Sequence, residues 1–349
     1  MTKAADIARI VVCEDSATYS RGLQEFLERD ADLRVVAVCE TAEDLLRSLP
    51  GARADLVTMD LELPGMDGVQ ATQRIMGTDP LPILVLSAHS ARGSERAVAA
   101  LSAGALDAIP KSEIRLADSD SIAAVALRRR VKRLARTRLR LPAGRPEPPR
   151  QDTAKLRGRA VAVAGICSST GGPQALQAVL GELPSDFPLP LLVVQHMSAG
   201  FTDGLITWLS RSLSPPVRLA GDGERLQPGV TFAREGVHLR LDGSRRLVLD
   251  AAAAADGYHR PSGDVLLRSL AESAGADAAG IVLTGLGRDG AEGLAAMRAA
   301  GGVTIAQDEN SSVVYGMPHA ALQRGAEFVL GLGEIGAALT ELAGIGAAR

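Results

Sequence analysis

Aromatic residues are scarce in this sequence. They make up only 3% of the 349 residues, whereas 46% of the residues are hydrophobic. Any core must therefore be built from Ala, Val, Leu and Ile rather than from rings. A chain of this length exceeds one ordinary core and predicts two domains.

Closely spaced metal ligands are also missing. Cys13, Cys39 and Cys167 are far apart and form no CxxC pair, and the five histidines form neither HxxxH nor HExxH. This spacing argues against a structural zinc site. We expect the cysteines to be small buried hydrophobes in a reducing cytosol.

Long apolar runs and a charge excess are absent as well. No apolar run approaches the roughly 18 residues of a membrane span, and the N-terminus does not read as a signal peptide. The 38 basic and 41 acidic residues leave a net charge of −3. We therefore expect a cytoplasmic protein without membrane insertion and without a global attraction to nucleic acid.

What the chain does contain is repeated α/β alternation. In the first 125 residues, five apolar runs read as strands: 9–13, 34–38, 55–59, 82–86 and 105–109. Amphipathic stretches between them read as helices: 17–29, 42–49, 67–76, 93–102 and 113–138. This pattern predicts an α/β fold, a flavodoxin-like (βα)5 domain with a parallel sheet covered on both faces.

A basic and proline-rich stretch interrupts the alternation. Residues 126–160 contain 13 Lys and Arg against two acids, and 141–152 contains four prolines. Proline at this density is incompatible with a packed element. We predict domains at 1–126 and 158–349, joined by a basic helix end and linker at 127–157.

The second half resumes the alternation. Apolar runs that read as parallel strands occur at 159–166, 189–195, 278–284 and 301–307. Three closely spaced runs over 229–250 read as an antiparallel excursion. The sequence thus predicts a mostly parallel, doubly wound α/β domain with an antiparallel hairpin.

Polar residues follow four strands of the first domain. Glu14 and Asp15 come after the first strand, Asp60 after the third, Ser87 after the fourth and Lys111 after the fifth. Because the carboxyl ends of parallel strands share one edge, these side chains should converge. The three carboxylates would repel one another unless a hard cation such as Mg²⁺ joined them.

Residues 9–125 resemble a response-regulator receiver domain, and DLVTMDLELPGMDG (55–68) resembles its phosphoacceptor segment. The resemblance implies that a histidine kinase phosphorylates Asp60. It also implies that Glu14 and Asp15 join Asp60 in binding Mg²⁺. Ser87 and Lys111 would be the switch residues.

Adjacent hydroxyls mark the second domain. GICSSTGGP (165–173) places Ser168, Ser169 and Thr170 between a strand and a helix. One hydroxyl could simply cap the helix. Alternatively, one could be a nucleophile whose oxyanion is stabilised by the free N–H groups at the helix start. A phosphate-binding loop is disfavoured, because the lysine of GxxxxGK[ST] is absent.

A serine nucleophile needs a base and a group that orients it. His196 directly follows the strand at 189–195, and Asp289 lies in TGLGRDG after the strand at 278–284. Both should lie at the same sheet edge as the hydroxyls. His238 instead lies in the predicted hairpin, which we place on the exterior.

The same segment supports a rival function. Gly285, Gly287 and Gly290 form GxGxxG between a strand and a helix, and Asp308 and Glu309 follow about 20 residues later. This is the dinucleotide fingerprint, which would indicate an NAD(P)-binding output domain. Only about 60 residues follow the glycines, which leaves little for the rest of such a fold.

A nucleic-acid-binding output domain is the second rival. It rests on the basic stretch 128–140. That stretch has no interleaved aromatics, and charge runs of this kind are usually solvated faces. The second domain also shows no compact three-helix reading region.

Residues 158 to about 345 resemble the catalytic domain of chemotaxis protein-glutamate methylesterases. The matching segments are GICSSTGGP, QHM (195–197), DGERLQPG (222–229), HRPSGDVLL (259–267), IVLTGLGRDGAEG (281–293) and SVVYGMPHAA (312–321). The resemblance implies that Ser169 is the nucleophile, His196 the general base and Asp289 its orienting acid. Thr170 would shape the oxyanion turn, and a backbone N–H near Leu286 would donate to the oxyanion.

The implied reaction is hydrolysis of glutamate γ-methyl esters on methyl-accepting chemoreceptors, with release of methanol. Deamidation of receptor glutamines at the same site is also implied. No metal is expected for the esterase chemistry. Phosphorylation of Asp60 would activate the enzyme by releasing a catalytic face that the receiver covers. We expect a monomer.

Overall fold

The computed structural model describes residues 7–88, 91–114, 116–137, 139, 156–252 and 259–344. These residues fall into two compact units, each of which contains one parallel sheet. Most of the predicted linker lies outside the described residues. The predicted boundaries at 127 and 157 therefore stay predictions.

The first unit contains a five-stranded parallel sheet. Its strands are β1 (Ala8–Cys13), β2 (Leu33–Cys39), β3 (Leu56–Asp60), β4 (Ile83–Ser87) and β5 (Asp107–Pro110). Their order is β2-β1-β3-β4-β5. The five strands predicted from the sequence are confirmed. The direction of winding reverses between β1 and β3, and in such sheets ligands bind outside the carboxyl ends at that point.

Helices connect these strands: α1 (Ala17–Glu28), α2 (Ala42–Ala52), α3 (Gly68–Thr78), α4 (Ala91–Ser102) and α5 (Ile122–Ala135). The predicted helix at 113–138 is wrong at its start. A short 3₁₀ turn covers Lys111–Glu113, and α5 begins only at Ile122. Ser121 ends the intervening loop because its hydroxyl accepts the N–H of Ala124 at 3.2 Å and caps α5.

Basic residues on α5 form ion pairs within the first unit. Asp30 accepts from Arg128 Nε at 2.8 Å and from Lys132 Nζ at 2.6 Å. Arg130 pairs with Asp107, the first residue of β5. Arg128 is only 2% exposed. Because these three cations already have carboxylate partners, the basic stretch does not present them as a nucleic-acid-binding face.

The second unit contains a seven-stranded parallel sheet and a separate antiparallel pair. The strands are β6 (Val163–Ser168), β7 (Pro190–Gln195), β8 (Val217–Leu219), β9 (Gly229–Phe232), β10 (His238–Leu241), β11 (Leu247–Asp250), β12 (Ala278–Val282), β13 (Val303–Gln307) and β14 (Phe328–Leu330). The large sheet has the order β14-β13-β12-β6-β7-β9-β8. Its winding reverses between β6 and β12.

The antiparallel excursion is smaller than the sequence predicts. Only β10 and β11 pair in antiparallel fashion, whereas β9 pairs parallel to β7 and β8 in the large sheet. The edge strands β8 and β14 were not predicted, because three residues are too few for a periodic signal. His238 is not exterior: it is fully buried, and its Nδ1 accepts the N–H of Ser262 at 3.2 Å.

Six helices complete the second unit: α6 (Gly172–Leu180), α7 (Thr202–Ser212), α8 (Gly263–Ala274), α9 (Ala291–Ala299), α10 (Met317–Gln323) and α11 (Leu332–Leu342). The core is aliphatic, as expected, and all three cysteines are buried. Gly165 on β6 admits α8 closely, since a Cβ there would lie 2.7 Å from Leu270 Cδ1. None of the described helices combines the length and the apolar character that a bilayer crossing needs.

Strand register aligns the ends of the three central strands. Ser168 on β6 lies beside Gln195 on β7, and Cys167 on β6 lies beside Val282 on β12. The residues that follow these strands therefore emerge at one edge, at the point where the winding reverses. Ligands bind at this place in open α/β sheets.

The buried Arg128–Asp30 contact predicts a stability difference between two neighbouring arginines. We expect Arg128→Ala to lower the unfolding free energy of the first unit by about 3 kcal/mol, because it leaves Asp30 with one cation fewer. Exposed Arg129 serves as the control, and Arg129→Ala should change the unfolding free energy by less than about 0.5 kcal/mol. Scanning calorimetry of the full chain measures both. Equal effects would contradict a structural role for Arg128.

Candidate active site and phosphorylation site

Three carboxylates gather at the carboxyl edge of the first sheet. Glu14 and Asp15 follow β1, and Asp60 is the last residue of β3. One oxygen from each residue lies within 4.8 Å of the others. Glu14 and Asp60 are buried, whereas Asp15 is exposed. Carboxylate oxygens this close repel one another, and together they could hold a hard metal ion.

Lys111 contacts two of these carboxylates. Its Nζ lies 2.8 Å from Asp60 Oδ2 and 2.8 Å from Glu14 Oε2. Burial raises the pKa of Glu14, the Asp60 charge adds to this, and the hydrogen bond from Lys111 opposes it. Burial works to lower the pKa of Lys111, but its two carboxylate partners outweigh that effect and raise it. The predicted switch lysine is therefore a charged group in direct contact with the predicted phosphoacceptor.

Ser87 lies on the neighbouring strand. It is the last residue of β4 and is 1% exposed. The register pairs Asp60 with Leu86, which places Ser87 one residue beyond the level of Asp60. All five residues predicted for this site thus lie at one sheet edge.

The turn after β6 carries the candidate hydroxyls of the second unit. Helix α6 begins at Gly172, and its N-cap Gly171 has no side-chain capping partner. The alternative in which a hydroxyl caps this helix is therefore wrong. Gly171 has a φ of 76°, in the left-handed region that favours glycine. Ser169 is partly exposed, and its N–H donates to the carbonyl of Thr284 at 3.0 Å.

The two adjacent serines differ in environment. Ser168 is the last residue of β6 and is fully buried. Its hydroxyl donates to Oε1 of Gln195, the last residue of β7, at 2.6 Å. Ser169 lies one residue beyond the strand and is partly exposed. Only the second serine keeps a hydroxyl on the partly exposed turn.

His196 and Asp289 meet at the same edge. The Nε2 atom of His196 lies 2.8 Å from Asp289 Oδ2, and the two side chains are 6% and 10% exposed. Neither ring nitrogen has a partner in good hydrogen-bond geometry among the described residues, so the contact is close but not in line. Catalytic hydrogen bonds are often poorly aligned before substrate binds.

The start of α8 surrounds the Asp289 carboxylate. Oδ1 accepts from the Ser262 hydroxyl at 2.8 Å and from the N–H of Asp264 at 3.1 Å, while Oδ2 accepts from the N–H of Gly263 at 2.6 Å. Burial works against the charge, but contact with His196 and these donors hold the pKa of Asp289 well below its usual value. The carboxylate is therefore ionised and its orientation is fixed.

Two neighbours of this pair were not anticipated from the sequence. His259 stacks on His196 with ring centroids 4.0 Å apart and planes 9° apart. Asp264, besides contacting Asp289 through its N–H, accepts the N–H of Gly293 on α9 at 2.8 Å. Burial and the charge of Asp289 raise the pKa of Asp264. Both residues belong to HRPSGDVLL (259–267), for which the sequence predicted no site residue.

Thr170 and Leu286 lie on two segments in contact. The carbonyl of Thr170 accepts the Thr284 hydroxyl at 3.0 Å. Gly285, which precedes Leu286, packs against the turn that carries Ser169, and a Cβ on it would lie 2.7 Å from Ser169 Cβ. Its carbonyl accepts the N–H of Met317 at 2.9 Å. The predicted oxyanion donors thus belong to segments that lie next to Ser169.

The glycines of the apparent dinucleotide fingerprint have local roles. Gly285 leaves room for Ser169, Gly290 is the N-cap of α9 with φ 89°, and Gly287 has φ 97°. Asp308 accepts the N–H of Ser311 in a turn at 2.9 Å. This loop carries Asp289 to His196, which accounts for its glycines without a dinucleotide.

A partly exposed serine, a buried histidine side chain and an ionised aspartate thus lie in the loops that follow three adjacent strands, β6, β7 and β12. This combination is typical of nucleophilic acyl transfer, in which a base activates a hydroxyl and an acid orients the base. The order along the chain is Ser–His–Asp, and triads are recognised by arrangement rather than by order.

Comparison with known proteins identifies the family of each domain. The model of the CheB methylesterase family matches residues 164–339, and the response regulator receiver domain model matches residues 10–118. The chain is similar to the catalytic domain of CheB methylesterase from Thermotoga maritima at 36% identity, with a TM-score of 0.50. That match covers 52% of this chain and 99% of the Thermotoga structure.

Two full-length relatives are named protein-glutamate methylesterase/protein-glutamine glutaminase. The one from Syntrophus aciditrophicus is 38% identical over 96% of this chain and 98% of its own length. One from Myxococcus xanthus is 43% identical over 90% of this chain and 87% of its own length. The chain therefore belongs to the CheB methylesterase family and carries a receiver domain ahead of its methylesterase domain.

Proposed function

We propose that the chain hydrolyses glutamate γ-methyl esters on methyl-accepting chemoreceptors and releases methanol. It would also deamidate receptor glutamines at the same site. The 2.8 Å contact between His196 and Asp289, at the edge that carries Ser169, is the observation on which this proposal rests. The names of the Syntrophus and Myxococcus relatives support the substrate class.

In this reaction Ser169 Oγ attacks the ester carbonyl carbon while His196 takes the hydroxyl proton. Asp289, held ionised by α8, stabilises the imidazolium that forms. Collapse of the tetrahedral intermediate breaks the bond to the methoxy group, and His196 returns the proton so that methanol leaves. Water, deprotonated by His196, then cleaves the acyl-enzyme and frees the glutamate carboxylate and Ser169.

The oxyanion would be held by the backbone N–H groups of Thr170 and Leu286. In a trans peptide the N–H points opposite to the preceding carbonyl. The preceding carbonyls belong to Ser169 and Gly285, and both accept hydrogen bonds, from Gly172 N at 2.8 Å and from Met317 N at 2.9 Å. These bonds fix the two carbonyls. The N–H groups of Thr170 and Leu286 therefore point away from Gly172 and Met317, as an oxyanion site requires.

The receiver would regulate this activity. In our proposal a histidine kinase transfers a phosphoryl group to Asp60, and Glu14 and Asp15 join Asp60 in holding Mg²⁺, which neutralises the phosphoryl donor. Lys111 and Ser87 would contact the phosphoryl oxygens. Because Lys111 already contacts Asp60 and Glu14, modification of Asp60 must change these contacts, which provides a local switch.

We further propose that the protein acts in the cytoplasm as a monomer, with the receptors and the kinase as its partners. The near balance of acidic and basic residues supports binding of protein rather than nucleic acid. The ion pairs on α5 support the same preference.

The two adjacent serines give a first test. We expect Ser169→Ala to abolish methanol release from methylated receptors, because it removes the attacking oxygen. Ser168→Ala should lower kcat only a few-fold and lose about 1–2 kcal/mol of stability, because the buried Oε1 of Gln195 loses its donor. Methanol release and thermal unfolding are measured for both. Loss of activity in Ser168→Ala alone would overturn the choice of nucleophile.

The role of Asp289 gives a second test. Asp289→Asn should lower kcat by about 10³–10⁴-fold with an intact fold, because a neutral amide does not stabilise the imidazolium. Asp242→Asn is the matched control, since Asp242 accepts two backbone N–H groups in an exposed turn. A kcat for Asp289→Asn within tenfold of that control would contradict the triad assignment.

Phosphorylation gives a third test. We expect Asp60→Asn to lose both phosphoryl incorporation from a histidine kinase and the resulting stimulation of methanol release. Asp55→Asn, just before the start of β3, should retain both, since the Asp55 carboxylate accepts the N–H of Arg9 away from the carboxyl edge of the sheet. Chelation of Mg²⁺ should abolish incorporation in the wild type. Equal labelling of Asp60→Asn and wild type would show that another residue accepts the phosphoryl group.

A further inference from the structure

The side chain of Gln195 joins the two segments that carry Ser169 and His196. Its Nε2 donates to the carbonyl of Ser169 at 2.9 Å and to the carbonyl of His196 at 2.7 Å. Its Oε1 accepts the hydroxyl of Ser168 at 2.6 Å. One buried amide thus uses both of its N–H groups and its oxygen at the ends of two strands.

These partners determine which way the amide faces. If the nitrogen and oxygen were exchanged, the amide oxygen would face two carbonyl oxygens, and none of the three could donate a hydrogen. The Ser168 hydroxyl, in turn, has Oε1 as its acceptor. The hydrogen-bond network therefore sets the orientation of Gln195.

The turn that carries Ser169 provides the space for the Gln195 amide. A Cβ on Gly172 would lie only 1.9 Å from Gln195 Oε1. Gly172, the last glycine of GICSSTGGP, therefore leaves the space that the amide occupies next to the turn. Gln195 is 8% exposed, so its hydrogen bonds face little competition from water.

The contact with Ser169 acts on Thr170. The Ser169 carbonyl accepts from Gln195 Nε2 at 2.9 Å and from Gly172 N at 2.8 Å. The same rigid peptide plane carries the Thr170 N–H at its opposite side. A rotation of this plane would break both bonds to the carbonyl, so the Gln195 amide restrains the direction of the Thr170 N–H.

We propose that Gln195 is a positioning residue that orients the Thr170 N–H toward the oxyanion and holds the backbone of His196 level with Ser169. The proposal rests on the proposed esterase function. Gln195 does not touch the substrate and acts through these two peptide groups. Ser168 completes the arrangement by holding the amide oxygen.

The test compares two substitutions of Gln195 in the full chain. Gln195→Glu keeps the shape and an acceptor for Ser168, but the carboxylate has no hydrogen for the two carbonyls. Gln195→Met removes the polar atoms without adding charge. We expect kcat for methanol release to fall about 10²-fold or more in both, with KM within about twofold, because donors to an oxyanion act in the transition state.

Ser269→Ala is the control for lost stability. Its hydroxyl is 2% exposed and accepts the N–H of Leu241 at 3.0 Å, so its removal also leaves a buried polar group without a partner. We expect this variant to unfold at a lower temperature while kcat is unchanged. Ser168→Ala should lower kcat only a few-fold, since Nε2 keeps both acceptors.

Each outcome separates this proposal from the proposed function. Wild type that releases no methanol would overturn the esterase function and this proposal with it. Active wild type, inactive Ser169→Ala and Gln195 variants with kcat within threefold of wild type would overturn the positioning role alone. If Gln195→Glu does not fold, Gln195→Met decides. Failure of both to fold beside a folded Ser269→Ala would also overturn it, since Gln195 would then serve folding.

Discussion

Each domain places a buried carboxylate side chain at the carboxyl edge of its parallel sheet, and much of each site follows from the groups that surround this carboxylate. In the receiver, Asp60 has Lys111 as its cation, but Glu14 and Asp15 add negative charge, so the edge retains an excess that suits a metal ion. In the second domain, Asp289 accepts three donors from the start of α8 and faces an imidazole. The donors at the start of this helix and the contact with the histidine stabilise its charge.

Close approach of backbones is the second requirement, and glycine meets it at three places around the second site. A Cβ would lie 1.9 Å from Gln195 Oε1 at Gly172, 2.7 Å from Ser169 Cβ at Gly285 and 2.7 Å from Cys167 Sγ at Gly263. The glycine spacing that imitates a dinucleotide fingerprint therefore has another physical cause. In a dinucleotide-binding loop and in the loop that carries Asp289, glycine lets the backbone approach a neighbouring group closely. The glycine spacing alone does not say whether that group is a pyrophosphate or a serine.

Strand ends were the most predictable feature of this molecule. Parallel sheets collect the residues after their strands, so Asp60, Lys111, His196 and Asp289 could be assigned to edges from alternation alone. Elements that depend on pairing partners were less predictable. Strand β9 reads like part of a hairpin but pairs with β7, and the loop before α5 reads as helix until Ser121 caps it. The contacts of Gln195 and His259 depend on segments that are distant in sequence, so no local sequence pattern predicts them.

The adjacent serines show why the residue pattern, without the family resemblance, did not decide which serine is the nucleophile. Both follow an apolar strand, and both could cap a helix or attack a carbonyl. Alternation along the strand separates them: the hydroxyl of Ser168 turns into the core and must find an acceptor there, and Gln195 provides it. The same amide then reaches the carbonyl of Ser169. The hydroxyl of Ser168, beside the proposed nucleophile, is thus explained by its buried hydrogen bond to Gln195.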